Sequence, residues 1–223
     1  MLPCYNLPMT LIPIEHYEQV KRTAGSTAEL LVVSKMRSKE EIMAYYDLGQ
    51  RAFGENHAQE ILAKKDLPSD IQWHFIGHLQ RNKVKSIAPY VSMVESLDNL
   101  ALARVIDKEC AKIGRIMPCL AEFHLAVQDE NKTGLAEEDA LTFIEEVMKL
   151  PNIRLEGMMA MGPHTDDREE IRRVFTHGRE LFEKLRNTFG EQFHILSMGM
   201  SDDYDIAVEC GSTEIRVGSY LFY

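Results

Sequence analysis

Short apolar runs alternate along the chain with longer segments of helical periodicity, and this alternation is the mark of α/β construction. The runs are Leu30 to Ser34, Arg51 to Gly54, Gln72 to Ile76, Ser92 to Glu95, Met117 to Phe123, Arg154 to Met161, His194 to Met198 and Glu214 to Val217. Between them, Ser38 followed by Glu41 reads as a capping box that opens a helix through Leu48, ended by Gly49. Asp98 is placed to cap a helix whose stripe is Leu102, Val105, Ile106 and Ile113. Glu137 to Leu150 reads as a helix closed by Pro151. Asp166 or Asp167 precedes a long stripe of Ile171, Val174, Phe175, Phe182, Leu185 and Phe189. Eight strands, each followed by a helix or helical turn, predict a (β/α)8 TIM barrel, with a doubly wound open sheet as the alternative.

Length and composition narrow this reading. The 223 residues suit one domain over 1–223, with no linker, low-complexity stretch or repeat to divide it. With 25 Lys and Arg against 35 Asp and Glu, the net charge is −10, which opposes nucleic acid and anionic membrane surfaces as partners. An anionic ligand must therefore be captured by local groups. Cys4, Cys110, Cys119 and Cys210 have no zinc or disulfide spacing, so no metal site is expected and the thiols read as reduced. Residues 1–10 make a poor signal peptide, and a cytoplasmic protein is expected.

A barrel collects its chemistry where strands end. The first run exits into Ser34-Lys35, where a lysine either snorkels to solvent or, in a desolvated rim, offers a Schiff-base amine. The second exits as Gly54-Glu55-Asn56. The third gives His74 to Gln80, in which Gly77 makes a helical metal pair of His74 and His78 an unfavoured reading. The sixth ends in methionines and Gly162, with Met161 among them; such methionines are commonly plastic core filler. The seventh leads through Met200 to Ser201, read as the start of a helix running through Asp202 to Glu209, where a hydroxyl and free N–H groups would cradle an anion. Gly211-Ser212-Thr213 reads as a second small-residue turn, with Arg216 and Gly218 beyond it.

In this order the strings resemble the YggS/PROSC family of pyridoxal 5′-phosphate (PLP) homeostasis proteins, relatives of the barrel half of alanine racemase. The matching strings are Val33-Ser34-Lys35, Phe53 to Asn56, Trp73 to Gln80 with Asn82-Lys83, Gly157 to Met159 with Met161-Gly162, Leu196 to Ser201, and Gly211 to Thr213 with Arg216 to Gly218. The resemblance implies a fold-type III PLP barrel with Lys35 as the lysine of an internal aldimine. It places Arg216 at the pyridine nitrogen and Asn56 near the ring 3-oxygen. Ser201, Ser212, Thr213 and the backbone at Gly218 would hold the phosphate, with Met200 and Met161 around the ring and His78 close by. The implied function is PLP binding and intracellular vitamin B6 homeostasis without catalysis. The alternatives are a racemase-like PLP enzyme on a single-domain scaffold, and a barrel binding another phosphorylated metabolite with Lys35 as an ion-pair partner. Expected partners are PLP and PLP-dependent apo-enzymes; a monomer is expected, with a dimer as the alternative. Departures from the family pattern are Met36-Arg37, His57, Phe222-Tyr223 and the segment Phe123 to Gln128.

Overall fold

Parallel strands bury both faces, so each apolar run divides its residues between two cores. In a computed structural model describing residues 11–125 and 134–223, the strands are β1 (Glu29–Val33), β2 (Ala52–Glu55), β3 (Gln72–Phe75), β4 (Val91–Leu97), β5 (Met117–His124), β6 (Ile153–Met161), β7 (Ile195–Ser197) and β8 (Glu214–Val217). The helices are α1 (Ile14–Ala24), α2 (Lys39–Asp47), α3 (Ala58–Ala63), α4 (Val84–Ile87), α5 (Leu100–Lys112), α6 (Ala140–Val147), α7 (Arg168–Phe189), α8 (Tyr204–Glu209) and α9 (Ser219–Phe222). Residues 1–10, Cys4 with them, and Ala126 to Gln128 lie outside the described residues.

All eight strands pair in sequence order, and β8 returns to β1 in parallel with Leu31 opposite Arg216. That pairing closes the barrel and removes the open-sheet alternative. Outward side chains form two large cores against the helices; in one, Leu30 and Val32 of β1 and Ile215 and Val217 of β8 pack with Tyr17, Val20, Ile42 and Tyr45 of α1 and α2. The intervening residues point inside the barrel, where Met93, Leu120 and Met159 form a separate small cluster with Ile195 packed on it. A filled lower interior leaves the site to the rim.

Helix ends follow local chemistry. Ser38 and Glu41 make the expected reciprocal capping box, and Asp167 accepts from the backbone of Glu169 and Glu170. The cap of α5 is Asn99, not Asp98: the Asn99 side chain accepts from Leu102 N, while Asp98 accepts from the Asn99 amide. The α5 stripe also ends sooner than expected, since Ile113 lies beyond the helix and is exposed. Residues 137–150 are not one helix, because a 3-10 turn at Glu137–Asp139 precedes α6. Ser201 does not open a helix, because a turn over residues 201–203 separates it from α8.

Candidate functional site

In a closed parallel barrel, every residue that follows its strand lies at one end. Lys35 follows β1, Asn56 β2, His78 β3, Met200 and Ser201 β7, and Gly218 β8, so the topology gathers them at the carboxyl mouth. Arg216, one residue from the end of β8, reaches the same region from within: Nη2 donates to Ala160 O at 3.0 Å and lies 3.5 Å from Met161 Sδ. The turns after β7 and β8 are tied together, with Ser201 Oγ accepting from Gly218 N (3.2 Å) and Tyr220 N (3.3 Å). Close packing at the mouth depends on Gly77, where a Cβ would meet Asn56 O at 2.4 Å. His78 is exposed and shares a cavity of about 310 Å³ with Asn56, His57, Gln80 and Lys83.

Two of the expected phosphate residues are elsewhere. Ser212 and Thr213 precede β8, so they lie at the opposite end of the barrel. Thr213 lines a cavity of about 640 Å³ with Glu29, Ala52, Gln72 and Ile195, all of them residues that start strands. Its Oγ1 accepts from Leu196 N at 2.8 Å, and Ser212 Oγ is buried against the carbonyls of Leu196, Met198 and Glu214. Both hydroxyls thus serve the β7–β8 junction. The small-residue turn that does follow the last strand is Gly218-Ser219, with Ser219 exposed at the start of α9.

Of the two readings of Lys35, its surroundings fit the solvent-facing one. It is exposed rather than desolvated, and among the described residues it has neither a hydrogen bond nor an ion pair. Asn56 Oδ1 is a buried acceptor with no partner among the described residues. A donor from a ligand would satisfy it.

Beneath the mouth, Arg216 stands on a buried polar cluster. Its Nη1 donates to Ser197 Oγ at 2.7 Å, and that hydroxyl lies 2.8 Å from Glu95 Oε2 and 2.7 Å from Glu214 Oε1. His74 Nδ1 is 2.7 Å from Glu95 Oε1 and 3.6 Å from Glu214 Oε2. One hydroxyl has one proton, so a second proton must reside on a carboxyl. Burial and the neighbouring Glu95 charge push Glu214 up to about 8, which makes it the protonated partner. Burial acts on Glu95 in the same direction, but His74 and Arg216 outweigh it and hold Glu95 below the usual carboxylate range. For His74, burial favours the neutral ring, yet Glu95 and Glu214 raise it to about 9.

These shifts fix a direction for stability. Glu214 and His74 both bind protons more tightly folded than their ordinary values of 4.5 and 6.5 allow. Their stabilisation is complete below those values and is withdrawn as pH rises through about 8 for Glu214 and about 9 for His74. The thermal midpoint is therefore expected to fall from pH 6.5 to pH 9, and Glu214→Gln, which cannot ionise, should flatten the fall. Calorimetry across that range checks this; the same slope in both proteins would contradict it.

Comparison with known proteins decides the family. The alanine racemase N-terminal domain matches residues 14–223. A pyridoxal phosphate homeostasis protein of Helicobacter pylori is 38% identical over 210 residues, covering 90% of this chain and 91% of the relative. One of Schizosaccharomyces pombe is 36% identical, covering 92% and 87%. The chain belongs to the pyridoxal phosphate homeostasis protein family. The family's fold is seen in PipY of Synechococcus elongatus with PLP bound, which is 31% identical, has a TM-score of 0.84, and covers 94% of this chain and 99% of PipY. Alanine racemase of Clostridium difficile shares the fold alone, at 15% identity and a TM-score of 0.81.

Several residues of this family member's site escaped the sequence reading. Glu95 and Glu214 lie on strand runs without a chemical motif, Ser197 sits in the Leu196 to Ser201 string without being singled out, and His74 enters the sequence reading only as half of an unfavoured metal pair. A signal was nevertheless present in the strand period of two, because Glu214 and Arg216 alternate with the outward Ile215 and Val217. Lys64, buried beside the β1 exit, also passed unnoticed.

Proposed function

We propose that this chain binds PLP at the carboxyl mouth of its barrel, with Lys35 as the amine for the cofactor's aldehyde, and serves intracellular PLP homeostasis without turning over amino acids. The observation that carries the reading is the convergence at one mouth of a partnerless Lys35, an unsatisfied buried Asn56 acceptor and a buried guanidinium, Arg216. When bound, PLP supplies an aldehyde that condenses with amines. The phosphate is assigned to Ser201 and the Gly218-Ser219 turn, where local donors overcome the net charge of −10. Met200 and Met161 would flank the ring, and Asn56 would lie near its 3-oxygen.

Arg216 argues against carbanion chemistry of the aminotransferase kind, though not against racemisation. A guanidinium donates and never accepts, so a pyridine nitrogen against it stays unprotonated and the ring remains a weak electron sink. The homeostasis names of the relatives agree with a carrier. We further place the protein in the cytoplasm, delivering PLP to apo-enzymes; the free, buried thiols of Cys110 and Cys119 suit a reducing compartment.

The test is chemical. Incubation with PLP should give a yellow protein, and borohydride reduction followed by peptide mapping should label Lys35. Lys35→Ala should lose both signals. A label absent from Lys35 overturns the assignment, and amino-acid racemisation that disappears in Lys35→Ala overturns the non-catalytic role.

A further inference from the structure

The turn that presents Lys35 is built against the preference of its own sequence. Arg37 N donates to Ser34 O at 3.1 Å, closing a four-residue turn with Lys35 and Met36 at its centre. Met36 has φ +60°, and it is the single non-glycine residue with positive φ among the described residues. A turn with positive φ at its third residue favours glycine, because a Cβ crowds the backbone there. Something outside the turn must hold it.

That hold comes from a buried lysine. Lys64, at the end of α3, is 5% exposed, and its ammonium donates to Ser34 O at 3.0 Å, Glu55 Oε1 at 2.7 Å and Glu60 Oε2 at 3.1 Å. Those three hydrogen bonds use all its protons. Glu60 Oε2 in turn accepts Met36 N at 2.5 Å, and Ser34 Oγ donates to Glu55 Oε1 at 2.7 Å. The groups on either side of Lys35, the Ser34 carbonyl and the Met36 N–H, are thus tied to one ammonium, directly and through one carboxylate. Lys35 itself is left free. The two lysines have opposite roles: one is fully paired and buried, the other partnerless and exposed.

We propose that Lys64 is a positioning residue for Lys35, clamping the strained Ser34 to Arg37 turn so that the Lys35 amine is held ready for the cofactor's aldehyde. The proposal rests on the assignment of Lys35 above. Condensation consumes the unprotonated Lys35 amine and the aldehyde, forms the C=N bond and releases one water. Lys64 takes no part in the bonds made or broken. Burial pushes the Glu55 carboxyl up to about 7, and Lys64 and Ser34 oppose that rise, consistent with an ammonium needed at this depth. Glu60 is held low, since its bonds to Met36 N–H and Lys64 outweigh the effect of burial.

The test has one readout that requires no cofactor. In the apo-protein, hydrogen exchange at the Met36 amide should accelerate at least tenfold in Lys64→Met and in Glu60→Gln; the second variant leaves the buried pair of Lys64 and Glu55 in place should the first fold poorly. With PLP, the rate of Lys35 labelling should fall at least tenfold in Lys64→Met. Adding Met36→Gly, which suits positive φ without the clamp, should restore at least half of that rate. A purely structural loss at Lys64 would not be repaired by a glycine in this turn. Unchanged Met36 exchange, or labelling at the wild-type rate in Lys64→Met, overturns the clamp. If wild-type Lys35 takes no label at all, the cofactor assignment fails, while the exchange measurement still decides whether the clamp exists.

Discussion

Arg216→Ala is expected to destabilise the apo-protein by about 3–5 kcal/mol and to abolish PLP retention through gel filtration. Arg216 is 4% exposed, and it is the cation that faces the Ser197 hydroxyl and the charged Glu95 behind it. Alanine removes that charge and strands the Ala160 carbonyl, to which the guanidinium donates, while the Ser197 hydroxyl keeps only its two carboxyl partners. His74 can compensate Glu95 in part, being 2.7 Å from the other carboxylate oxygen. The loss should therefore lie within the range for a broken buried pair and not beyond it. Denaturant unfolding of the apo-protein measures the first effect, and absorption after gel filtration measures the second. An apo-protein as stable as wild type would show that the cluster does not depend on Arg216. Retained PLP with an unchanged spectrum would show that Arg216 is not at the ring.

The second large effect concerns the scaffold. Gly157→Ala should cost about 4 kcal/mol or more. Gly157 in β6 lies opposite Ile195 of β7, and a Cβ there would fall 1.8 Å from Ile195 O and within 2.8 Å of the Ile195 C and N atoms. These are backbone atoms of a strand fixed between β6 and β8, so no rotamer change relieves the overlap. The adjoining β7 carries Ser197, the hydroxyl under Arg216, so PLP retention should fall with stability. Urea unfolding decides the matter. A loss below about 1 kcal/mol would mean that β6 and β7 can separate locally at little cost.

Local signals reached far along this chain because the barrel is built from short-range units. β8 begins and ends where its apolar run does, at Glu214 and Val217. The capping box at Ser38 was legible because it is two side chains reading two nearby amides. The cap of α5 was missed by one residue, since Asp98 and Asn99 are both good caps and backbone direction chooses between them. The misplacement of Ser212 and Thr213 has another origin. Small polar residues look alike on either side of a strand, but a parallel barrel sends those before the strand to one end and those after it to the other. Chain order contained that distinction, and it points to Gly218-Ser219.

The sequence by itself determined the element order, the family and the residues that follow each strand, because all three depend on neighbours along the chain. Tertiary structure alone decided which charges meet. Ser197, Glu214 and Arg216 meet where β7 pairs with β8, Glu95 of β4 reaches them only across the closed barrel, and Lys64 reaches Ser34 only when α3 packs beside the β1 exit. Closure also removes these groups from water. There, charge states follow spatial neighbours, not residue type, and Glu214 keeps a proton that an exposed glutamate would lose.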